Sequence, residues 1–504
     1  MRYLEHWGMI LKITNNQGIK KPMTKTSGYA AKPLQACKYR LANRLHHLLC
    51  LAAAVSIWSV SANAQSDASD GASPALSATA TAAPLVPPQE TLDDSDVAQT
   101  GTAPGRTVKP TPVAPSGKPF QLGAFLIYPE IDATWTYDSN LYSSNTAPLG
   151  DHAWIYSPAL WVQSNWARHA LNFHAGADLT RYDTYGTENS DDQNISAEGR
   201  YDFSADTNVY GGAYFAREHE DRESPSARNG LTPTEYFQRR YYGGFFRQFD
   251  RLSLRIAGTA QHLNYKDVNF ITGGGALSII NNDDRDRWQY TGGFRLGYEI
   301  TPRLEPYLQV AFDNRRYDIK VDDLDYSRDS QGQRYLAGLR WNAPRQIKLD
   351  AFVGWLLQDY NDPRLKDISD AVAGVAVQWA ATDKTTVSAH LDRTVEETTV
   401  TLTPSPGLVL VSSSFLNTYG SAGVEHRFNN KLSARLNGSV SHVAYQGIPR
   451  TDDYYGATIG ATYRIHRNLF LDLSYTDRKL SSSIPTEDFS KHLLFARIAI
   501  PFSH

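Results

Sequence analysis

What this chain lacks narrows its class before any motif is sought. Of 504 residues only two are cysteine and three are methionine, and all five (Met1, Met9, Met23, Cys37 and Cys50) lie in the first 64 positions. Beyond residue 64 a disulfide scaffold, a thiolate metal site and a cysteine nucleophile are therefore excluded. Long apolar runs are missing as well. The one clear stretch, residues 48–60, is shorter than the roughly 20 residues a bilayer-crossing helix needs, and the mean hydropathy is -0.45, so a helical membrane protein is excluded. Neither sign of charge dominates, with 50 Lys+Arg against 53 Asp+Glu, which speaks against a nucleic-acid partner. HExxH, GxSxG, CxxC and a helix-opening GxGxxG are all absent, so no enzymatic activity, catalytic residue, cofactor or metal site is expected.

The first 64 residues read as a secretory leader. Basic residues from Arg40 to Arg44 precede the apolar stretch Leu48 to Val60, and Ala62-Asn63-Ala64 supplies a small-residue cleavage site before Gln65. Removing this segment takes away nine basic residues and one acidic one, leaving 41 against 52 and a net charge of -11. Residues 65–119 follow as a Pro/Ala/Ser-rich stretch with Pro87, Pro88, Pro110, Pro112, Pro115 and Pro119 and few aromatics. Such a composition cannot bury enough apolar surface to order itself, which marks a disordered periplasmic linker.

From residue 120 onward the texture changes to alternation with a period of two. Trp288, Tyr290, Phe294, Leu296, Tyr298 and Ile300 alternate with Arg287, Gln289, Thr291, Arg295 and Glu299, and the next run repeats the pattern after a tight turn at Thr301-Pro302. Short turns alternate with long polar links throughout, and about 18 such runs can be counted. Strands of soluble sandwiches average about 5–6 residues; these runs are long enough to cross a bilayer when tilted. The fold expected is all-β, a transmembrane antiparallel β-barrel of about 18 strands over 120–504, in the outer membrane of a Gram-negative bacterium. Trp135, Tyr137, Trp154, Tyr156, Trp341, Trp355, Trp379 and Tyr475 are placed to form interfacial girdles.

If the apolar face meets lipid, the opposite face lines the lumen. The lining residues expected there are Arg255, Arg295, Glu299, Glu305, Asp313, Arg315, Arg340, Asp350, Arg435 and Arg464. Their mixed signs suit a hydrated solute or pairing across strands better than an ion filter. Trp161, Tyr307 and Tyr454 on the same face are candidate platforms for stacking sugar rings. The hexapeptide Glu218-His219-Glu220-Asp221-Arg222-Glu223 opens a long link and reads as a solvated loop tip, with a divalent cation or lipopolysaccharide phosphate as the alternative. The acidic pairs Asp283-Asp284, Asp322-Asp323 and Asp452-Asp453 read as residues that keep loops wet.

The first run contains Tyr137-Asp138-Ser139-Asn140-Leu141-Tyr142, which resembles the Tyr-Asp-x-Asn-(apolar)-Tyr opening of the putative beta-barrel porin 2 family. The linker and the Gly-Ala-x-Tyr texture, as in Gly460-Ala461-Thr462-Tyr463, are similar to that family too. The resemblance implies an outer-membrane protein serving exopolysaccharide export, with membrane lipid and lipopolysaccharide, the secreted polysaccharide and a periplasmic or inner-membrane export complex as partners. A general diffusion porin for small hydrophilic solutes is the alternative. A conduit predicts a wide lumen, whereas a diffusion porin folds a long loop inward; the sequence does not show whether 266–284 or 398–411 does so.

Overall fold

The computed structural model describes residues 119–344 and 346–502. The expected leader, its cleavage point and nearly all of the linker lie outside the described residues. Eighteen strands of 12–16 residues form the wall. They are β1 (Phe125–Asp138), β2 (Asp151–Ser164), β3 (Ala170–Tyr182), β4 (Ser190–Ser204), β5 (Thr207–His219), β6 (Glu235–Phe249), β7 (Leu252–Tyr265), β8 (Arg287–Tyr298) and β9 (Leu304–Tyr317). The other half of the wall is β10 (Ser330–Ala343), β11 (Ile347–Tyr360), β12 (Ile368–Thr382), β13 (Thr385–Glu397), β14 (Ser414–Arg427), β15 (Leu432–Gln446), β16 (Thr451–His466), β17 (Leu469–Ser482) and β18 (Phe489–Pro501). Each strand pairs antiparallel with the next, and β18 pairs with β1 from Glu130↔Pro501 to Asp138↔Leu493. The sheet is therefore closed, which removes every long edge from the ring.

Closure follows from the alternation. In β9, Glu305, Tyr307 and Gln309 are buried toward the lumen, while Leu308 on the other face is 62% exposed. Trp341 and Trp379 face outward near the short-turn end, Trp154 and Trp355 near the long-loop end. The short turns use compact chemistry: Leu304 N–H donates to Thr301 O at 3.0 Å, and Asp250 takes a φ of 55°, a left-handed conformation that Asp tolerates better than most side chains. Both long links singled out above carry a small hairpin of their own, Val268–Ile271 with Leu277–Ile280 and Thr401–Ser405 with Leu408–Val411. No helix among the described residues is long and apolar enough to cross a membrane.

The Tyr-Asp-x-Asn segment sits at the seam where the ends of the ring meet. Asn140 is almost wholly buried. Its side-chain amide donates to Ser144 O at 2.8 Å and to Ser490 O at 3.1 Å, and its oxygen accepts the Ser144 N–H at 2.9 Å. Asp138 accepts the Asn140 N–H at 2.8 Å and pairs with Lys491 at 2.7 Å. Ser139 and His492 exchange two further hydrogen bonds, at 3.1 and 2.8 Å. The motif thus fastens the first strand to the last.

Candidate channel and its outer mouth

Strand register decides which expected lining residues meet. Near the short-turn end, neighbouring strands place Arg255 opposite Arg295, Arg295 opposite Gln309, Glu305 opposite Arg340, and Arg340 opposite Asp350. Arg295, 2% exposed, donates through Nε to Gln309 at 2.7 Å, and its guanidinium lies 4.1 Å from the Tyr307 ring centroid. The Tyr307 hydroxyl donates to Asp350 at 2.7 Å, and Arg340 reaches Glu305 at 3.3 Å and Asp350 at 3.5 Å. Arg255 stacks 5.0 Å from the Phe246 ring. Across the ring Arg435 grips Asp472 with two bonds of 2.7 and 2.8 Å, and Arg497 lies 3.4 Å from Asp132. A belt of alternating charges lines the wall. Pairing offsets much of the cost of burying such groups.

Nearer the loop end, Arg315 binds Asp313 at 2.7 Å and also Glu397, and Asp313 accepts from Gln289 at 2.9 Å. Arg464 is half-buried in the inward row of β16. Glu299 lies one residue past β8, at the short-turn rim, where its N–H donates to Arg251 O at 2.7 Å. Of the candidate stacking aromatics, Trp161 has the His174 ring 3.8 Å from its own. Tyr307 lies between Arg295 and Gly338, where any Cβ would overlap its ring, and Tyr454 packs beside the cluster Phe415, Val443, Tyr445 and Ile448.

Two features of the outer half were not anticipated. The first is an infolding of the wall. β12 and β13 pair only from Val375↔Leu391 to Thr382↔Thr385, so their outer ends part. The outer end of β13 turns inward and brings Val395 into a dry cluster with Leu336, Leu356, Ile368, Val372 and Leu416. Arg315 then donates to Val395 O at 3.2 Å, and Glu397 accepts the hydroxyls of Tyr317 and Tyr360 at 2.9 and 3.1 Å. A signal was available: Leu336, Leu356, Ile368 and Val372 are apolar on the face that should be wet, and three adjacent strands carry them.

The second is a crossing of the mouth. The hexapeptide beginning at Glu218 is not a solvated tip. The link it opens runs inward from β5 and meets a partner at nearly every charge. Glu220 receives Arg285 at 2.7 Å, Arg222 binds Glu188 at 2.6 and 2.9 Å, and Glu223 pairs with Arg478 at 2.7 Å and Lys491 at 3.0 Å. Tyr445 donates to Pro225 O at 3.1 Å, Ser226 meets Thr398 at 3.1 Å, and Arg228 binds Thr399 at 2.6 Å and Asp284 at 3.1 Å. These partners stand on strands and links from every side of the opening. Nor do the acidic pairs merely keep loops wet: Asp284, Asp322 and Asp452 are buried against Arg228, Arg328 and Arg450. The charges of the 220–230 link look solvated in sequence because their opposites lie from 34 to more than 250 residues away.

Electrostatics at the rim give one pH-dependent element. In the 361–367 link the Arg364 side chain, together with the N–H groups of Arg364 and Ser327, holds the Asp362 carboxyl well below the usual range. A depressed carboxylate stabilises the fold above its unfolded pKa of about 4 and loses that contribution only as pH falls through the lower folded value. Hydrogen exchange at the Arg364 and Ser327 amides should therefore stay protected from neutral pH down to about pH 3. Asp362→Asn should expose both amides at every pH.

Among curated proteins no relative matches the chain. Among solved structures it is similar to a variant of the ferric enterobactin receptor PfeA from Pseudomonas aeruginosa, at 8% identity and a TM-score of 0.41, covering 75% of this chain and 80% of that one. It is likewise similar to a BenF-like porin from Pseudomonas fluorescens Pf-5, at 11% identity and TM-score 0.41 over 76% and 99% of the two chains. The third is OccK3 (OpdO) of Pseudomonas aeruginosa, at 12% and 0.38 over 75% and 96%. The sequence profile described as putative beta-barrel porin 2 matches residues 111–502. With the closed 18-stranded ring and its outward apolar face, that match makes the chain a member of the putative beta-barrel porin 2 family and an outer-membrane β-barrel.

Proposed function

We propose that this protein is a passive outer-membrane channel for small hydrophilic solutes. The observation that carries the reading is the narrowing of the outer half, where the infolded end of β13 and the crossing 220–230 segment meet at Ser226 and Thr398. A conduit for a polymer needs an unobstructed bore, whereas a sieve needs a constriction. The paired charges below the constriction offer polar contacts of both signs to a hydrated solute and favour neither ion.

Exopolysaccharide export, with the polymer and a periplasmic or inner-membrane complex as partners, is the second reading. It is favoured by the polar nature of the crossing: hydrogen bonds and ion pairs between links can release, and the bore behind them is that of an 18-stranded ring. Gene deletion separates the two. The sieve predicts slowed growth on limiting small solutes with normal secreted polymer, and proteoliposomes that swell in small sugars with weak ion selectivity in planar bilayers. Loss of polymer with unchanged growth would transfer the assignment to export.

A further inference from the structure

We infer that Glu223 is the latch of a releasable strap, residues 220–230, whose seating sets the width of the open channel. The inference rests on the channel reading above and goes beyond it by naming the residue that positions the constriction.

The strap has little apolar surface to bury. Its sequence, Glu-Asp-Arg-Glu-Ser-Pro-Ser-Ala-Arg-Asn-Gly, has Pro225 and Ala227 as its only carbon-rich side chains, so polar contacts hold it in place. Neutral hydrogen bonds such as Ser226 to Thr398 contribute about 0.5–1.5 kcal/mol each, too little alone to keep a chain segment stretched over an opening. Arg222, Glu220 and Arg228 fasten the near side, to Glu188, Arg285 and Asp284.

Glu223 reaches the last two strands of the ring. It is 4% exposed and pairs at once with Arg478 on β17 and Lys491 on β18, both on inward rows. Buried pairs of this kind are the contacts whose loss is costly, because the partner charges stay behind without compensation. The seat survives on its own. Lys491 has a second carboxylate, Asp138 on the first strand of the wall, at 2.7 Å. Neutralising Glu223 therefore frees the strap without dismantling the wall, and that asymmetry makes the contact a latch rather than part of the barrel.

The test uses purified full-length mature protein in planar bilayers. Glu223→Gln should raise single-channel conductance and admit polyethylene glycols that the wild type excludes, while the folded band on unheated gels stays at wild-type intensity. A lock supplies the control. Ser226 Oγ and Thr398 Oγ1 are 3.1 Å apart, and the described residues contain no cysteine, so a Ser226→Cys/Thr398→Cys pair joined by a short bis-methanethiosulfonate, which forms a disulfide with each thiol and releases methanesulfinate, pins the strap. Cross-linking should return the Glu223→Gln channel to wild-type conductance, and reduction should widen it again. Equal conductance and equal polymer exclusion in wild type and Glu223→Gln would overturn the latch. If neither protein conducts, the channel reading fails instead, and cross-linking yield still decides the latch: lower yield in Glu223→Gln supports a freed strap, and equal yield overturns it.

Discussion

Val353→Arg should cost the barrel about 2–4 kcal/mol and sharply reduce the folded band recovered in outer membranes. Val353 is 64% exposed on the outward face, at the middle of β11, where a guanidinium would sit near the bilayer midplane with no inward route to water. Ser388→Arg is the matched control. Ser388 stands on the inward row of β13, in the part still paired with β12, and is exposed to the lumen. Urea unfolding in lipid vesicles should show the first loss and leave the second variant near wild type. Equal loss at both positions would mean that the two faces are not lipid and water.

Lys491→Met should be costlier still, because it breaks two buried ion pairs at once. Lys491 is nearly inaccessible and holds Asp138 at 2.7 Å and Glu223 at 3.0 Å. Removing the cation leaves Asp138 buried without its partner and Glu223 held by Arg478 alone, with the two carboxylates facing each other, a loss of about 3–5 kcal/mol by analogy with other broken buried pairs. Adding Glu223→Gln should recover part of it, since the repulsion between the two carboxylates then disappears, and this non-additivity is the diagnostic result. A Lys491→Met barrel as stable as wild type would show that Lys491 does not hold the seam.

The wall was legible because alternation with a period of two needs only local sequence. Trp288 through Tyr298 fix their own faces whatever their neighbours do, and the observed β8 carries them as read. The opening motif was legible as a family mark, yet its work was not: Asn140 acts on Ser490, 350 positions away. The mouth was misread for the same reason. Nothing near Glu223 announces Arg478 or Lys491, and a run of charges without visible partners looks like a solvated tip. The infolding was half visible. Leu336, Leu356, Ile368 and Val372 broke the polar pattern on the inward face, but the residue that covers them, Val395, belongs to a strand whose outer end had to leave its neighbour first.

The place where Glu223 docks is assembled from the two extremities of the ring, Asp138 on the first strand and Lys491 on the last, with Arg478 beside them. Before the final strand zips onto the first, that place does not exist in complete form. Closing the ring thus adds Asp138 to the Lys491 that Glu223 meets, so the join between the chain's two ends and the cover of the opening share one lysine.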